Sequence, residues 1–253
     1  MNYRTLADMT RIIRWNLHRI PRLPVVGIPR SGMIAASIIA TLKNVPLHTY
    51  NELLALNCAP ERVLLVDDSV SGGETMNKVR RVFIDARLVH VTCAVYVKPQ
   101  SPKPDIWFEE LPGPRVFEWN WAKHTATKYA VFDIDGVLCD ETEKIRDWSD
   151  KQHVLQVRES AKLLHWPARE VLAIATGRKE DEREVTEEWL AAHNVRYKHI
   201  FFSTPDRGAR QTKLHAIREI GARWMVESNL QQAYWLRREA GIPVLCTDSN
   251  QML

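Results

Sequence analysis

Short apolar segments recur along the whole chain, each ending in glycine, serine or aspartate and followed by a stretch with helical periodicity. These segments are residues 24–26, 62–66, 89–97, 129–132, 171–175, 199–202, 224–226 and 244–246. Continuous apolar strands that alternate with helices are typical of a parallel sheet covered on both faces. The pattern predicts an α/β fold built from doubly wound, Rossmann-like parallel sheets.

A proline-rich segment, residues 98–127, separates the amino-terminal strands from the carboxyl-terminal ones. It contains five prolines, and its aromatic residues are Trp107, Phe108, Phe117, Trp119 and Trp121. A flexible linker would not carry so many side chains that require burial. We predict an extended flap that packs on the first domain and a boundary at residue 124, which gives two tandem domains, 1–124 and 125–253.

Charge and composition exclude several classes of protein. A net charge of +4 over 253 residues is too dispersed to argue for a nucleic-acid partner. No apolar run approaches the ~20 residues of a membrane span, and the arginine-rich start does not resemble a secretory signal. We expect a soluble, cytoplasmic protein without a membrane partner, and the oligomeric state, a homo-oligomer included, stays open. The scattered cysteines are typical of core residues in a reducing compartment: Cys58, Cys93, Cys139 and Cys246.

The amino-terminal stretch has apolar residues at helical spacing. Leu6, Met9, Ile13 and Leu17 predict an amphipathic helix that packs on the first domain. The basic residues around Trp15 leave a membrane or RNA contact as the alternative.

Two acids and a run of small residues follow the strand at residues 62–66. Asp67 and Asp68 come first, and the loop that then opens a helix consists of Ser69, Val70, Ser71, Gly72, Gly73, Glu74 and Thr75. Backbone N–H groups of such a loop, together with the helix N-terminus, bind phosphate. The acids suit the hydroxyls of the attached sugar, directly or with Mg²⁺. The alternative is an acid pair that only caps the helix.

This run resembles the phosphoribosyl diphosphate signature of type I phosphoribosyltransferases, and the resemblance covers residues 1–122. It implies that Asp67 and Asp68 hold the ribose hydroxyls and that residues 69–75 hold the 5-phosphate. The turn with Arg30, Ser31 and Gly32 resembles the diphosphate loop of that family. The family reaction displaces diphosphate from C1 of the sugar, with Mg²⁺ and a basic residue, here Arg30, stabilising the departing charge.

The acceptor of the ribosyl group is indicated only by the flap. Lys98 and Trp107 resemble the hood of 6-oxopurine members of the family, in which a lysine meets the purine carbonyl and an aromatic ring stacks on the base. By this resemblance Val116 and Phe117 would complete the wall of a purine-like site. The alternative is that the aromatic residues only anchor the flap.

A second pair of acids follows the strand at residues 129–132. Asp133 and Asp135 occupy alternate positions, and Gly136 permits a sharp exit. Because side chains at alternate positions of a strand point to the same side, both carboxylates should face the same site at the end of the strand. One aspartate can attack phosphorus while the other transfers protons, provided that a cation suppresses their repulsion. Alone, the motif could also be a fragment of a calcium loop.

The rest of this half resembles the haloacid dehalogenase superfamily over residues 128–247. The resemblance implies Asp133 as nucleophile, Asp135 as acid/base, Thr176 as the phosphate-binding hydroxyl and Lys213 as the neutralising cation. Gly177 and Arg178 would contact substrate, and the Mg²⁺ ligands would be Asp133, Asp135, Glu227 and Asn229. Asn229 stands where a second acid is common. Taken singly, Lys213 is typical of a solvated helix face and Thr176 of a helix cap.

The two domains together suggest a bifunctional enzyme. A phosphoribosyltransferase product carries a 5-phosphate, which a phosphomonoester hydrolase in the same chain could remove. The insertion at residues 140–169 is small for a substrate-selecting cap and leaves the phosphatase mouth open. The alternative is a phosphatase that is regulated by a non-catalytic domain sensing phosphoribosyl diphosphate or a nucleotide.

Overall fold

The computed structural model describes residues 1–55, 60–140 and 145–253 and divides into two units, Met1–Trp119 and Asn120–Leu253. The boundary precedes the expected position at residue 124. Trp121, which we expected in the flap of the first domain, explains the difference. Its ring centroid lies 5.9 Å from that of Phe132 and 4.9 Å from that of His165, and both partners belong to the second unit.

The first unit contains a five-stranded parallel sheet with the strand order β3-β2-β4-β5-β6. Two further strands, β1 and β7, pair with each other in parallel. Its elements are β1 Asn2–Arg4, α1 Leu6–Trp15, β2 Val25–Gly27, α2 Gly32–Lys43, β3 Leu47–Thr49, α3 Tyr50–Ala55, β4 Arg62–Val70, α4 Glu74–Asp85, β5 Val89–Val97, β6 Ile106–Glu110 and β7 Arg115–Phe117.

The central strands of this sheet are apolar throughout because both of their faces are covered. Leu64 and Val66 of β4 belong to the cluster formed with α1 and α2. Val63 and Leu65 point the other way, into the cluster with Phe83 of α4. Alternation along a strand therefore distributes one continuous apolar run between two cores.

Helix α1 packs on the first of these cores. It begins with a capping box between Thr5 and Asp8 and buries Met9, Ile12 and Ile13. Leu6, which we expected to point inward, is 37% exposed because it lies in the first turn, at the edge of the buried stripe. In the part of the chain that the structure describes, no helix is long and apolar enough to cross a membrane.

The second unit contains a six-stranded sheet with the order β10-β9-β8-β11-β12-β13, in which β13 alone runs antiparallel to its neighbour. Its elements are β8 Ala130–Phe132, α5 Lys151–Ser160, β9 Val171–Lys179, α6 Arg183–Ala192, β10 Tyr197–Ser203, α7 Ala209–Glu219, β11 Trp224–Glu227, α8 Leu230–Ala240, β12 Val244–Cys246 and β13 Gln251–Met252. The predicted insertion contributes helix α5, and its residues 141–144 lie outside the described residues.

The predicted doubly wound α/β fold is confirmed. In both sheets the strand order reverses at one point, and this reversal positions the loops. In the first unit the chain leaves β2 toward β3 on one side and returns to β4 on the other. In the second unit β8 lies between β9 and β11 in the same way. Ligands of open α/β sheets bind beyond the carboxyl ends of the strands at such a switch point. Cys93, Cys139 and Cys246 are buried as free thiols, and Cys58 lies outside the described residues.

Candidate functional site

A cavity of about 470 Å³ opens at the carboxyl edge of the second sheet. Asp133 and Asp135 enter it from the end of β8, Lys213 from α7 and Glu227 from the end of β11, while Gly177 of β9 forms part of the rim. These residues are far apart in the chain. Together with Asn229, the cavity brings together six of the residues that the sequence singled out.

Lys213 joins two of the buried carboxylates. Its Nζ atom lies 2.6 Å from Oδ2 of Asp133 and 2.7 Å from Oε2 of Glu227, and the lysine is 2% exposed. Burial alone would lower the pKa of Lys213, but the two carboxylates raise it above its usual value. Burial raises the pKa of Asp133, Lys213 opposes the rise, and the neighbouring carboxylates Glu227 and Asp135 reinforce it. When both carboxylates are ionised, the triad carries one excess negative charge.

Two arginines hold the carboxylate of Asp135. Arg178 donates from Nη2 at 2.7 Å and Arg158 from Nη1 at 2.8 Å. Burial alone would raise the pKa of Asp135, but Arg178 and Arg158 more than offset burial and leave it below its ordinary value. Each arginine is fixed by a further contact, Arg178 to Oγ1 of Thr186 at 3.1 Å and Arg158 to Glu182 at 2.9 Å. Asp135 is therefore ionised and fixed in orientation.

Two residues that we expected at the substrate do not line the cavity. Strand β9 continues through Lys179, so Thr176 and Arg178 share its buried face and Gly177 lies on the other. Oγ1 of the fully buried Thr176 accepts the backbone N–H of Arg178 at 3.1 Å. The Arg178 guanidinium donates to both carboxylate oxygens of Asp135. Contact of either residue with substrate stays a prediction.

The oxygen donors expected for Mg²⁺ differ in their availability. Oδ1 of Asn229 accepts the N–H of Gln232 at 3.0 Å and caps α8, and both arginines occupy the carboxylate of Asp135. Across residues 1–55, 60–140 and 145–253, no group of three or more His, Cys, Asp or Glu residues is arranged as a metal site. Asp133 and Glu227 supply the hard oxygen donors that Mg²⁺ prefers. Their oxygens accept hydrogen bonds from Lys213 and from the backbone N–H groups of Ile134 and Asn229, so a bound ion would share these oxygens with those donors.

No sequence motif identifies several other residues of this cavity, among them Trp148, Arg158 and Gln232. Arg158 lies on α5 and Gln232 on α8, where its Oε1 accepts from Lys213 at 3.3 Å. Trp148 is 66% exposed at the cavity, and the Arg158 guanidinium lies 5.7 Å from its ring centroid. An aromatic residue in an otherwise polar stretch is the one signal that could have indicated Trp148.

The first unit has a smaller cavity, of about 140 Å³, at the start of α4. It is lined by Asp67, Ser69, Val70, Ser71, Gly72, Gly73, Glu74, Thr75 and Met76. We call residues 69–75 the phosphate loop. Strand β4 extends beyond the predicted end at residue 66, through both acids and the first two residues of this loop, Ser69 and Val70. Gly73 begins the helix with φ = 87°, a left-handed conformation that glycine adopts without strain. Since a water molecule takes up ~30 Å³, a cavity of about 140 Å³ has room for a phosphate group. The rest of a larger ligand would extend beyond the cavity.

The acid pair before this loop is buried. Burial raises the pKa of Asp67 to about 8, and the charge of Asp68 adds to the effect. Burial also raises the pKa of Asp68, although its Oδ2 accepts the indole N–H of Trp119 at 2.8 Å. In this state Asp67 therefore keeps its proton at neutral pH, and Trp119 covers Asp68.

The loop that contains Arg30, Ser31 and Gly32 lies at the same edge of the sheet. The N–H of Ile28 donates to the carbonyl of Val66 at 2.8 Å, which places the end of β2 beside β4. A Cβ atom on Gly32 would lie 2.8 Å from that carbonyl oxygen, so only glycine permits this approach. Arg30 is exposed, Ser31 is half-buried and the Pro29–Arg30 peptide bond is cis.

The flap differs from the expected purine site. Lys98 is exposed and Trp107 is half-buried, with the ammonium of Lys103 4.7 Å from its ring centroid. Val116 and Phe117 are buried, because β7 pairs with β1, and the Phe117 ring stacks on Trp119 at a centroid distance of 4.8 Å. Val116 and Phe117 are therefore core residues that anchor the flap and do not form the wall of a cavity.

No family model and no curated protein matches this sequence. Similar solved structures include a purine phosphoribosyltransferase from Pyrococcus horikoshii Ot3, with 20% identity, 47% of this chain and 92% of that chain covered, and a TM-score of 0.40. Helicobacter pylori xanthine-guanine-hypoxanthine phosphoribosyltransferase has 16% identity, 47% and 91% coverage and a TM-score of 0.41. Trypanosoma cruzi hypoxanthine phosphoribosyltransferase, in complex with the product IMP, has 17% identity, 43% and 78% coverage and a TM-score of 0.32. Similarity at this level does not establish family membership or activity, and the second unit has no counterpart among these three.

Proposed function

We propose that the second unit hydrolyses phosphomonoesters through an aspartyl-phosphate, in the manner of the haloacid dehalogenase superfamily that its motifs resemble. The observation that carries this proposal is the buried Asp133–Lys213–Glu227 triad at the floor of an open cavity of about 470 Å³. A buried lysine that holds a carboxylate at 2.6 Å also supplies the positive charge that an incoming phosphate dianion requires.

The reaction has two displacements on phosphorus. A carboxylate oxygen of Asp133 attacks the phosphorus, a new P–O bond forms, and the ester P–O bond breaks to release the alcohol, which takes up a proton. Water then attacks the aspartyl-phosphate, which releases inorganic phosphate and restores Asp133. Lys213 stabilises the phosphoryl charge in both steps and fixes the orientation of the nucleophile.

Asp135 exchanges the protons in this scheme. The two arginines keep it ionised in the ligand-free protein, which suits the general base that activates water in the second step. Of the acid and base roles expected for Asp135, the contacts with Arg178 and Arg158 favour the base. A phosphate group that drew Arg158 or Arg178 away from Asp135 would raise its pKa and allow it to protonate the leaving alcohol.

Asp133 and Glu227 would hold Mg²⁺ in this unit. When bound, the ion supplies additional positive charge to the phosphoryl oxygens and relieves the repulsion between the carboxylates.

For the first unit we propose a site for phosphoribosyl diphosphate, with the 5-phosphate on the phosphate loop and the diphosphate beside Arg30. Asp67 and Asp68 would bind the ribose hydroxyls. The cavity at the N-terminus of α4 and the adjacent loop after β2 support this placement. The unit would transfer the ribosyl group to a base nitrogen of an acceptor, and the second unit would then remove the 5-phosphate of that product.

The acid pair favours a second candidate, in which the first unit only senses phosphoribosyl diphosphate or a nucleotide and regulates the phosphatase. Asp67 and Asp68 are buried, and Trp119 already occupies one oxygen of Asp68. Catalysis of transfer would require this contact to open, whereas binding of a phosphate on the loop would not.

The test uses Asp133→Asn, with Glu219→Gln, an exposed carboxylate-to-amide change on α7, as the matched control. With phosphoribosyl diphosphate, Mg²⁺ and a metabolite extract, the Asp133→Asn variant should accumulate a 5-phosphorylated riboside. Wild type and the control should release riboside and phosphate. Unchanged hydrolysis of an aryl phosphate by Asp133→Asn would refute the nucleophile. A phosphatase rate that responds to phosphoribosyl diphosphate without any riboside would favour the sensor.

A further inference from the structure

The cavity of the second unit has two chemically different sides. Its charged side, at the edge of the sheet, contains Asp133, Lys213 and Glu227. Its apolar side belongs to the insertion at residues 140–169 and consists of Ile145, Trp148, Val157 and Ala161. A volume of about 470 Å³ exceeds what a phosphate group needs and is typical of sites that hold whole small molecules. The cavity therefore has room for the alcohol part of a phosphomonoester, and that part would meet the apolar side.

Trp148 differs from its apolar neighbours in exposure. It is 66% exposed, whereas the other three side chains are half-buried. The guanidinium of Arg158 lies over the indole ring, 5.7 Å from its centroid, and the same arginine donates to Asp135 at 2.8 Å and to Glu182 at 2.9 Å. One arginine side chain thus connects the ring to the charged side of the cavity. Because Arg158 covers one face of the indole, the opposite face is open to a planar ligand.

The setting of Trp148 indicates what kind of group that ligand carries. Single exposed apolar residues are common on protein surfaces, so exposure alone would not indicate a ligand. Trp148, however, lines a concave cavity, shares it with three other apolar side chains and adjoins the charged groups proposed to bind phosphate. A flat aromatic face in that position suits a planar ring, because stacking of two rings is favourable beyond the apolar area that it buries.

We propose that the alcohol of the substrate carries a planar aromatic ring, which stacks on Trp148 while the phosphate group occupies the charged side of the cavity. The shared chemistry is that of a ring-bearing phosphomonoester, and its two sources are a nucleoside monophosphate and an aryl phosphate. This inference rests on the phosphatase function proposed for the second unit and names the substrate class of that site. Trp148 determines specificity in this scheme, and Asp133 performs the displacement.

Steady-state hydrolysis of adenosine monophosphate, phenyl phosphate and ribose 5-phosphate, with Mg²⁺ present, tests the role of Trp148. Ribose 5-phosphate lacks the ring. Trp148→Ala should lower kcat/KM for a ring-bearing substrate about 5- to 150-fold, the range for loss of one base–aromatic stack, and leave that for ribose 5-phosphate unchanged. Trp148→Phe should retain part of the preference. The control is Trp166→Ala, which changes an exposed tryptophan that contacts Asn194 and should match wild type. Which of the two ring-bearing substrates is affected identifies the source of the ring.

A second measurement detects binding of the ring without turnover. The Asp133→Asn variant is labelled with fluorotryptophan, and Trp148→Phe in the same background assigns the ¹⁹F signal of Trp148. A ring-bearing phosphomonoester should shift this signal, and ribose 5-phosphate should shift it much less.

Two results overturn the proposal. One is a Trp148 signal that responds to neither ring-bearing compound more than to ribose 5-phosphate. The other is a Trp148→Ala variant in which kcat/KM changes equally, or not at all, for all three substrates. If wild type hydrolyses none of the three but the Trp148 signal still responds to the ring, the phosphatase function alone is refuted.

Discussion

Replacing Asp67 with asparagine should stabilise the first unit, and the gain should increase with pH. Asp67 is buried with a pKa of about 8, whereas an aspartate in the unfolded chain has a pKa of ~3.9. Between these values the folded protein keeps a proton that the unfolded chain releases. The stability associated with the protonated form is therefore fully present below about pH 4 and is lost progressively as the pH rises toward 8.

The size of the effect follows from the same two pKa values. At ~1.4 kcal/mol per pKa unit, keeping this proton at pH 7 lowers the free energy of unfolding by ~4 kcal/mol relative to pH 4. The Asp67→Asn variant carries no such cost, and the new amide can still accept the backbone N–H of Asp68, which Asp67 accepts at 2.9 Å. Because Asp67 and Asp68 interact, we expect a gain of about 2–4 kcal/mol at pH 7 and almost none at pH 4.

Hydrogen exchange of the β4 and β5 amides, measured without added divalent cations, reports the free energy of opening of the first unit separately from that of the second. The comparison is made at about pH 5 and about pH 7.5 after correction for intrinsic exchange rates. Asp85→Asn, an exposed carboxylate-to-amide change on α4, is the control. A gain of equal size at both pH values, or a loss at the higher one, would refute the reasoning that burial protonates Asp67.

Four other substitutions test contacts of the two sites. Lys213→Met should destabilise the second unit by about 3–5 kcal/mol in urea unfolding, because Asp133 and Glu227 lose their common buried partner; a loss below about 1 kcal/mol would contradict this. Arg158→Gln should lower kcat for an aryl phosphate about 10-fold, and Arg178→Gln should lower it about 100-fold or more. The reason is that Arg178 makes three of the four hydrogen bonds that the two arginines donate to Asp135. Equal losses of kcat would contradict the idea that Arg178 contributes more than Arg158. Trp119→Phe keeps the ring stack but removes the N–H donated to Asp68. It should tighten ribose 5-phosphate binding about fivefold in calorimetry if the ribose must displace that contact, and unchanged affinity would mean that Asp68 does not bind the sugar.

The strands and the loops that follow them could be predicted because their signals are local. The apolar run of β4 and the acids after it adjoin each other in the chain, as do β8 and the pair Asp133 and Asp135. Parallel strands place their carboxyl ends at one edge, which is why separate motifs meet at one cavity. Helix α8 is likewise bounded by local signals, the capping side chain of Asn229 before Leu230 and the left-handed Gly241 after Ala240.

The rest depends on contacts between distant residues. Trp119 reaches Asp68 across 51 positions and Arg158 reaches Asp135 across 23, and neither pair has a spacing that a motif could encode. Trp121 follows Trp119 by two residues yet packs in the other unit, since aromatic composition indicates burial without indicating the partner. The contacts of Arg178 could not be predicted for a different reason: β9 continues past the predicted strand end, and this extension directs the side chain toward Asp135.

Arg158 also limits how the second unit can be re-engineered. If the proposed phosphatase activity is correct, the insertion is the segment that one would exchange to change the substrate, and grafting a longer loop there looks harmless to the sheet. However, α5 supplies one of the two cations on Asp135. A graft without an equivalent arginine would change the surroundings of Asp135, the proposed proton-transfer residue, along with the substrate preference, so an inactive chimera would reveal nothing about recognition. Libraries built on this scaffold should retain the Arg158–Glu182 clamp and diversify the segment that precedes α5.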